Sequence, residues 1–259
     1  MKKDTLRQAI NVLALIVTVI MNGLANALPI NGQTTGEVSD QFDVYFVPAG
    51  YVFSIWGLIY LALAAFSVYQ ALPSQRDNPR LRRVGYLFAL SCLANVAWLL
   101  LWHYERFPLT MVAMGGLLLL LIGVYLRLGV GRTQVSTAER WLVRIPFSIY
   151  LGWITVATIA NASQLLVYLN WGGWGISPEI WTVIMLVAAT AITAIVTITR
   201  GDVAYGLVIV WAVTGIGVKH TGTPLVAMTA WVMTAIVLIV TILGAWLKRQ
   251  PGRLVSTEA

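Results

Sequence analysis

The stretch FVPAGYVFSIWGLIY, Phe46 to Tyr60, decides the fold. It opens with Pro48 and Gly50, which mark a turn, and then runs apolar into what reads as a membrane helix. Trp56 lies about eight residues inside that helix, roughly 12 Å along its axis at 1.5 Å per residue. Tryptophan in membrane proteins usually stays at the water interface. The depth of Trp56 therefore needs a reason.

Composition agrees with a membrane setting. The chain has 259 residues, 59% hydrophobic and 10% charged, where a soluble domain carries about 25% charged residues. Mean hydropathy is +0.80. This is the pattern of an all-α, polytopic membrane protein. A net charge of +7 would suggest nucleic acid in a soluble protein. Here the cations cluster in loops that orient helices, so the expected partner is the lipid bilayer and no nucleic acid. The single cysteine, Cys92, excludes an intrachain disulfide and reads as a small packing residue. The first apolar run is long and lacks a small-residue cleavage site, so it reads as a spanning helix and not a signal peptide.

A span needs about 20 mainly apolar residues. Eight runs qualify: 8–29, 47–70, 84–103, 108–128, 145–168, 179–199, 203–219 and 224–247, the seventh being the shortest. Lys2, Lys3, Arg7, Arg76, Arg80, Arg82, Arg83, Arg127, Arg132, Arg140, Arg144, Arg200, Lys248, Arg249 and Arg253 all fall on one side of that alternation. Glu37, Asp40, Asp43, Glu105 and Glu179 fall on the other, with Arg106 and Lys219 as its cations. The positive-inside rule then places both termini in the cytoplasm.

Every Asp, Glu, Lys and Arg lies in a loop or near a helix end, as do His103 and His220. Ionisable groups deep in a bilayer mark proton relays and ion sites. Their absence near the midplane argues against proton-coupled transport, a metal site or a carboxylate-based enzyme. No metal ligands and no catalytic residues are expected.

Tryptophan and asparagine lie deep instead. Phe53, Trp56 and Tyr60 are spaced i, i+3, i+7 on the second run, which sets them on one helix face. Asn95, Trp98 and Trp102 repeat that spacing on the third run, and Trp153, Ala157 and Asn161 stand at i, i+4, i+8 on the fifth. An unpaired amide in hydrocarbon costs several kcal/mol, so Asn95 and Asn161 should point into the bundle. Each residue alone also reads as packing or interhelical glue; three agreeing faces are what imply a pocket. Trp171, Trp174, Trp181 and Trp246 stand near helix ends, where interface anchoring is the simpler role. Most of the deep residues map to the outer half of the membrane or its middle, with Trp153 further in. The polar loop Pro29–Tyr45 lies over them and reads as a mobile lid. Rings with a few amides suit a flat, largely apolar ligand.

These residues resemble the translocator protein family, also called the tryptophan-rich sensory protein or TspO/MBR family. Its second helix follows a proline turn with Phe, Trp and Tyr, here Pro48, Phe53, Trp56 and Tyr60. Its third helix carries Asn-x-x-Trp, here Asn95 and Trp98, and its fifth a Trp eight residues before an Asn, here Trp153 and Asn161. The likeness covers residues 1–170. It departs from the family pattern in having Pro48-Ala49 where a double proline is usual, and in the distance from Pro146 to Trp153. It implies a TspO-like five-helix bundle over 1–176, with three additional helices over 177–259 as in a longer bacterial version. The implied role is a multi-pass binding protein or sensor in the bacterial inner membrane, taking porphyrin or another tetrapyrrole under the 29–45 loop. No cofactor is obligatory in that reading. Alternatives are a transporter of such lipophiles, a membrane scaffold or a pigment-degrading enzyme. Gly115–Gly116 is expected to permit close helix packing or a homodimer contact.

Overall fold

The computed structural model describes residues 2–28 and 30–249; Met1, Pro29 and 250–259, with Arg253, lie outside them. Eight long apolar helices follow one another: α1 Lys2–Ala27, α2 Ile55–Ala71, α3 Leu87–His103, α4 Phe107–Arg127, α5 Ile145–Tyr168, α6 Pro178–Arg200, α7 Val203–Lys219 and α8 Pro224–Arg249. Each overlaps one of the eight expected runs. By length and composition, six are long and apolar enough to cross a membrane; α3 and α7 are the shorter apolar helices. At 17 residues each, those two stand at the lower limit for a span.

Local chemistry sets the helix ends. Ser177 accepts the Ile180 N–H, and Pro178 opens α6 where its missing N–H costs nothing. Gly201 ends α6 in the left-handed region at φ 64°, and Asp202 then caps α7 by accepting the Tyr205 N–H. Pro146 stands in the first turn of α5, behind a π-helical turn at Arg140–Arg144. The first helix begins six residues earlier than the expected 8–29, because the charged start continues it: Asp4 pairs with Arg82 at 2.8 Å and Arg7 reaches the Arg76 carbonyl at 3.2 Å.

Helices α1 to α5 form a closed ring. α1 packs on α2 and α3, α3 on α4, α4 on α5, and α5 on α2. α6, α7 and α8 pack on one another, and α7 packs on α5 and on the turn Gly50–Ser54. One hydrophobic core runs through both groups: Phe66, Phe88 and Phe147 meet edge to face in the ring, and Ile209, Val213 and Ile216 of α7 belong to the same cluster.

Hydrogen bonds gather the arginine-bearing connections at one end. Arg127 reaches the Arg83 carbonyl, Arg80 pairs with Glu139 at 3.0 Å, and Arg200 reaches the Val130 carbonyl. At the other end Gln33 donates to Glu105, and Tyr45 donates to Glu179. The two charge classes expected on opposite sides are thus at opposite ends of the bundle.

Candidate functional site

The end away from the arginines holds a cavity of about 900 Å³ within the ring. Phe53, Trp56 and Tyr60 from α2 and its leading turn line it, with Trp98 from α3, Asn22 and Asn26 from α1, and Thr35 and Ser39 from the loop above. A smaller cavity of about 70 Å³ shares the Phe53, Trp56 and Trp98 walls and continues among Trp102, Trp153, Ala157 and Asn161. Eight of the nine expected residues therefore surround one connected aromatic region.

The rings fix one another. Trp56 stacks on Tyr60 with centroids 5.4 Å apart, and meets Trp153 edge-on at 6.1 Å. Phe53 meets the other side of this group, edge-on to Trp153 at 5.7 Å. Trp98 stacks on Trp102 at 5.4 Å. Edge-to-face and offset pairs of this kind favour one arrangement of the wall over others.

Asn95, the ninth, lines neither cavity. Its amide accepts from Asn22 at 2.9 Å and donates to the Tyr150 hydroxyl at 3.1 Å, which links α1, α3 and α5. Asn161 also works between helices, accepting from the Trp98 indole at 2.7 Å and donating to Thr110 at 3.1 Å. Both amides point inward, as their burial cost demands. The Tyr60 hydroxyl and the Trp153 indole N–H, on two residues that line these cavities, are turned away from the open space and make no hydrogen bond among the described residues.

Hydrogen bonds tie the loop over the cavity to α3 and α5. Thr34 and Glu37 form a capping box that starts the helix Thr35–Asp40. Those bonds from Thr34 also hold the Glu37 carboxyl below the usual carboxylate range. Trp102 donates to the Thr35 carbonyl at 3.2 Å, Thr35 bonds His103 at 3.0 Å, and Gln164 donates to Ser39 at 2.9 Å. His103, which sequence reading left as a helix-end residue, is 0% exposed and also bonds the Ile30 carbonyl.

The last three helices reach this region. The Ala49 N–H donates to the Gly215 carbonyl of α7 at 3.1 Å, and the Trp211 indole donates to the Val52 carbonyl at 3.0 Å. A methyl added at Gly215 would stand 2.2 Å from Val52, so only glycine lets the turn lie this close. Lys219, at the end of α7, lines the cavity with Asp40. A methyl added at Gly115 or Gly116 meets nothing within 4 Å among the described residues. Trp171, Trp174 and Trp181 cluster near the start of α6, with Trp174 well exposed. Among the described residues no group of three or more His, Cys, Asp or Glu is placed to hold a metal.

No curated protein and no solved structure matches the chain. The family model for TSPO-like proteins matches residues 8–243, a span that takes in the aromatic cavity and reaches into the last helix. The chain belongs to the TSPO-like protein family.

Proposed function

We propose that this multi-pass membrane protein is a binding protein or sensor for a flat, lipophilic ligand of the tetrapyrrole class, held in the aromatic cavity. In this reading the arginine-bearing end faces the cytoplasm of a bacterial cell, and the cavity opens on the outer side. Membership of the TSPO-like family supports a membrane binding or sensing role in general.

One observation carries the proposal. Phe53, Trp56 and Tyr60 wall the cavity and Trp153 the smaller one beside it; Trp153 packs on Phe53 and Trp56, and Trp56 on Tyr60, while Tyr60 and Trp153 keep buried polar atoms without partners among the described residues. Buried polar groups in native proteins are nearly always paired, so an unpaired one calls for a missing partner. A tetrapyrrole supplies a broad face for the rings, and polar edge atoms that the Tyr60 hydroxyl and the Trp153 N–H would reach by turning towards the open space. Lys219 at the wall suits an acidic substituent. Trp56 stands not eight residues inside the helix but at the second position of α2, because the residues before it form the 3-10 turn Gly50–Ser54; there it lines the ligand site. The bundle is filled below the cavity by the Asn22–Asn95–Tyr150 network and the Phe66–Phe88–Phe147 group, which favours binding over passage through the ring.

The test is an absorbance titration of protoporphyrin IX against the detergent-purified chain, Trp56→Ala and Trp153→Ala. Saturable binding by the native chain, weakened about tenfold or more in both variants while they still unfold cooperatively, is expected; tenfold corresponds to about 1.4 kcal/mol. No saturable binding by the native chain would overturn the tetrapyrrole reading. Equal binding by all three would move the site elsewhere.

A further inference from the structure

The largest cavity described lies at the other end. It measures about 960 Å³ and runs between α2, α5 and α7, from the loop 130–135 towards Trp211. Its two ends differ in chemistry. Arg140, Arg144 and Arg200 line one part; Leu58, Ile149, Leu207 and Trp211 line the rest. Leu58 and Leu207 are about half exposed, so the apolar wall is open on the side where lipid would stand.

Among the described residues no carboxylate stands within ion-pair distance of these arginines. Asp202 is the one acid in the lining, so the cavity carries three positive charges against one negative, a net +2. The Asp202 carboxylate is already engaged, accepting from Ser148 at 2.6 Å, from Tyr125 at 2.8 Å and from the Tyr205 N–H at 3.1 Å. Glu139, next in sequence to Arg140, pairs with Arg80.

Arg144 makes the case most sharply. It is 7% exposed. Its guanidinium donates to the carbonyls of Leu128 at 3.0 Å and Thr133 at 2.5 Å and to the Thr133 hydroxyl, all neutral acceptors. Its Nε is buried with no partner at all. Glu139, held by Arg80, attracts Arg144 only from beyond ion-pair distance, so this buried cation keeps a desolvation cost that an anion in the cavity would offset. Arginine matches phosphate geometry better than any other side chain.

We infer that this cavity binds an anionic phospholipid, its phosphate among Arg140, Arg144 and Arg200 and an acyl chain along Leu58, Ile149, Leu207 and Trp211. Basic pockets between membrane helices are suited to such headgroups. A free phosphate would use the arginines and leave the apolar wall idle. That wall runs about nine residues along α7, from Asp202 to Trp211, roughly 13 Å of helix. The inference is independent of what the aromatic cavity holds.

The test is native mass spectrometry of the detergent-purified full chain with 1-palmitoyl-2-oleoyl phosphatidylglycerol and, in parallel, the matching phosphatidylcholine. Phosphatidylglycerol should be retained about tenfold more strongly than phosphatidylcholine. The pair Arg140→Gln and Arg200→Gln should abolish that preference. Arg127→Gln, at the same end but outside the cavity, should leave it intact. Ala204→Trp, which fills the apolar part without touching an arginine, should block retention of phosphatidylglycerol and keeps the test decisive if the arginine pair fails to fold. Equal retention of the two lipids, or a preference that survives both Ala204→Trp and the arginine pair, overturns the inference. Full displacement of the lipid by inorganic phosphate would assign the site to a free anion and overturn it too.

Discussion

In the ring of α1 to α5, polar side chains cross from helix to helix. Gln8 and Gln70 exchange bonds with each other's backbone carbonyls, at 2.6 and 3.1 Å; Asn22, Asn95 and Tyr150 join α1, α3 and α5; Trp98, Thr110 and Asn161 join α3, α4 and α5. In α6, α7 and α8, Tyr205 and Trp211 reach the ring, and the threonines turn back on their own helix. Thr190, Thr193, Thr197 and Thr241 each donate to the carbonyl four residues back, and among the described residues no side-chain hydrogen bond joins these three helices. Backbone proximity does the joining: methyls added at Gly206 and Gly244 would stand 2.2 Å from Thr241 and from the Thr197 carbonyl oxygen. The difference follows from what each group encloses. A ring around a cavity cannot bring its backbones together, so longer amide and indole side chains bridge the gaps. Three helices with nothing between them close on glycine.

The sharpest way to break this comparison is Gly244→Val. The added side chain meets backbone, which cannot rotate away. Overpacking of this kind costs about 3 kcal/mol at the upper end of its usual range. A clear fall in the thermal midpoint in detergent is expected, while Gly115→Val, with open space around it, should barely move it. Equal midpoints for the two variants would show that α6 to α8 do not depend on close backbone contact.

A smaller effect tests the ring. Asn95→Leu removes two hydrogen bonds and leaves Asn22 without its amide partner. The expected loss is about 1–2 kcal/mol. Thr193→Val, whose hydroxyl serves only its own helix, should cost about 0.5 kcal/mol or less. Chemical unfolding of both variants in one detergent ranks them. A larger loss in Thr193→Val would reverse the assignment of polar glue to the ring.

Tyr60→Phe separates function from stability. Its hydroxyl lies by the Asn95 amide but makes no well-formed hydrogen bond among the described residues, so removing it should leave stability unchanged or raise it by up to about 1 kcal/mol. Protoporphyrin affinity should fall about fivefold if that hydroxyl meets the ligand, since one hydrogen bond is worth about 1 kcal/mol. A loss of stability with affinity intact would make Tyr60 a packing residue.

Much of this was legible in the sequence, and the rest was hidden for identifiable reasons. Hydropathy is a property of consecutive residues, so the eight apolar helices and their alternating charges could be read directly. Helical periodicity is nearly as local, so the faces of Phe53–Trp56–Tyr60 and Trp153–Ala157–Asn161 could be read as well. Partners far apart in the chain were not legible. Nothing in the sequence joins Ala49 to Gly215 or Trp211 to Val52, and these contacts bring α7 to the cavity. His103 and Gln164 looked like ordinary helix residues until the loop folded onto them. The arginines of the second cavity were read only as markers of orientation, because their gathering around one space depends on the approach of α5 to α7.

The smallest expected effect is a titration where α7 meets the loop. His220 follows α7 and faces Tyr45, ring centroids 5.1 Å apart. Burial lowers its pKa from the usual value, helped by the neighbouring Lys219 ammonium and opposed by the backbone of Val47 and Tyr45 and by the Asp43 carboxylate. In the unfolded chain the imidazole titrates near pH 6.5. A folded pKa below that value means the unfolded state takes up the proton first. His220 therefore favours the fold above about pH 6.5, and that contribution is lost as pH falls through 6.5 towards the folded pKa. Between about pH 7.5 and 5.5 the native chain should lose slightly more of its thermal midpoint than His220→Gln, whose side chain does not titrate. Both proteins share every other titrating group, so the difference between their slopes isolates this one ring. A steeper fall in the glutamine variant would mean that the charged imidazole is the better accommodated form, held by Asp43 across the loop, and that the end of α7 is more open to water than its packing against Tyr45 implies.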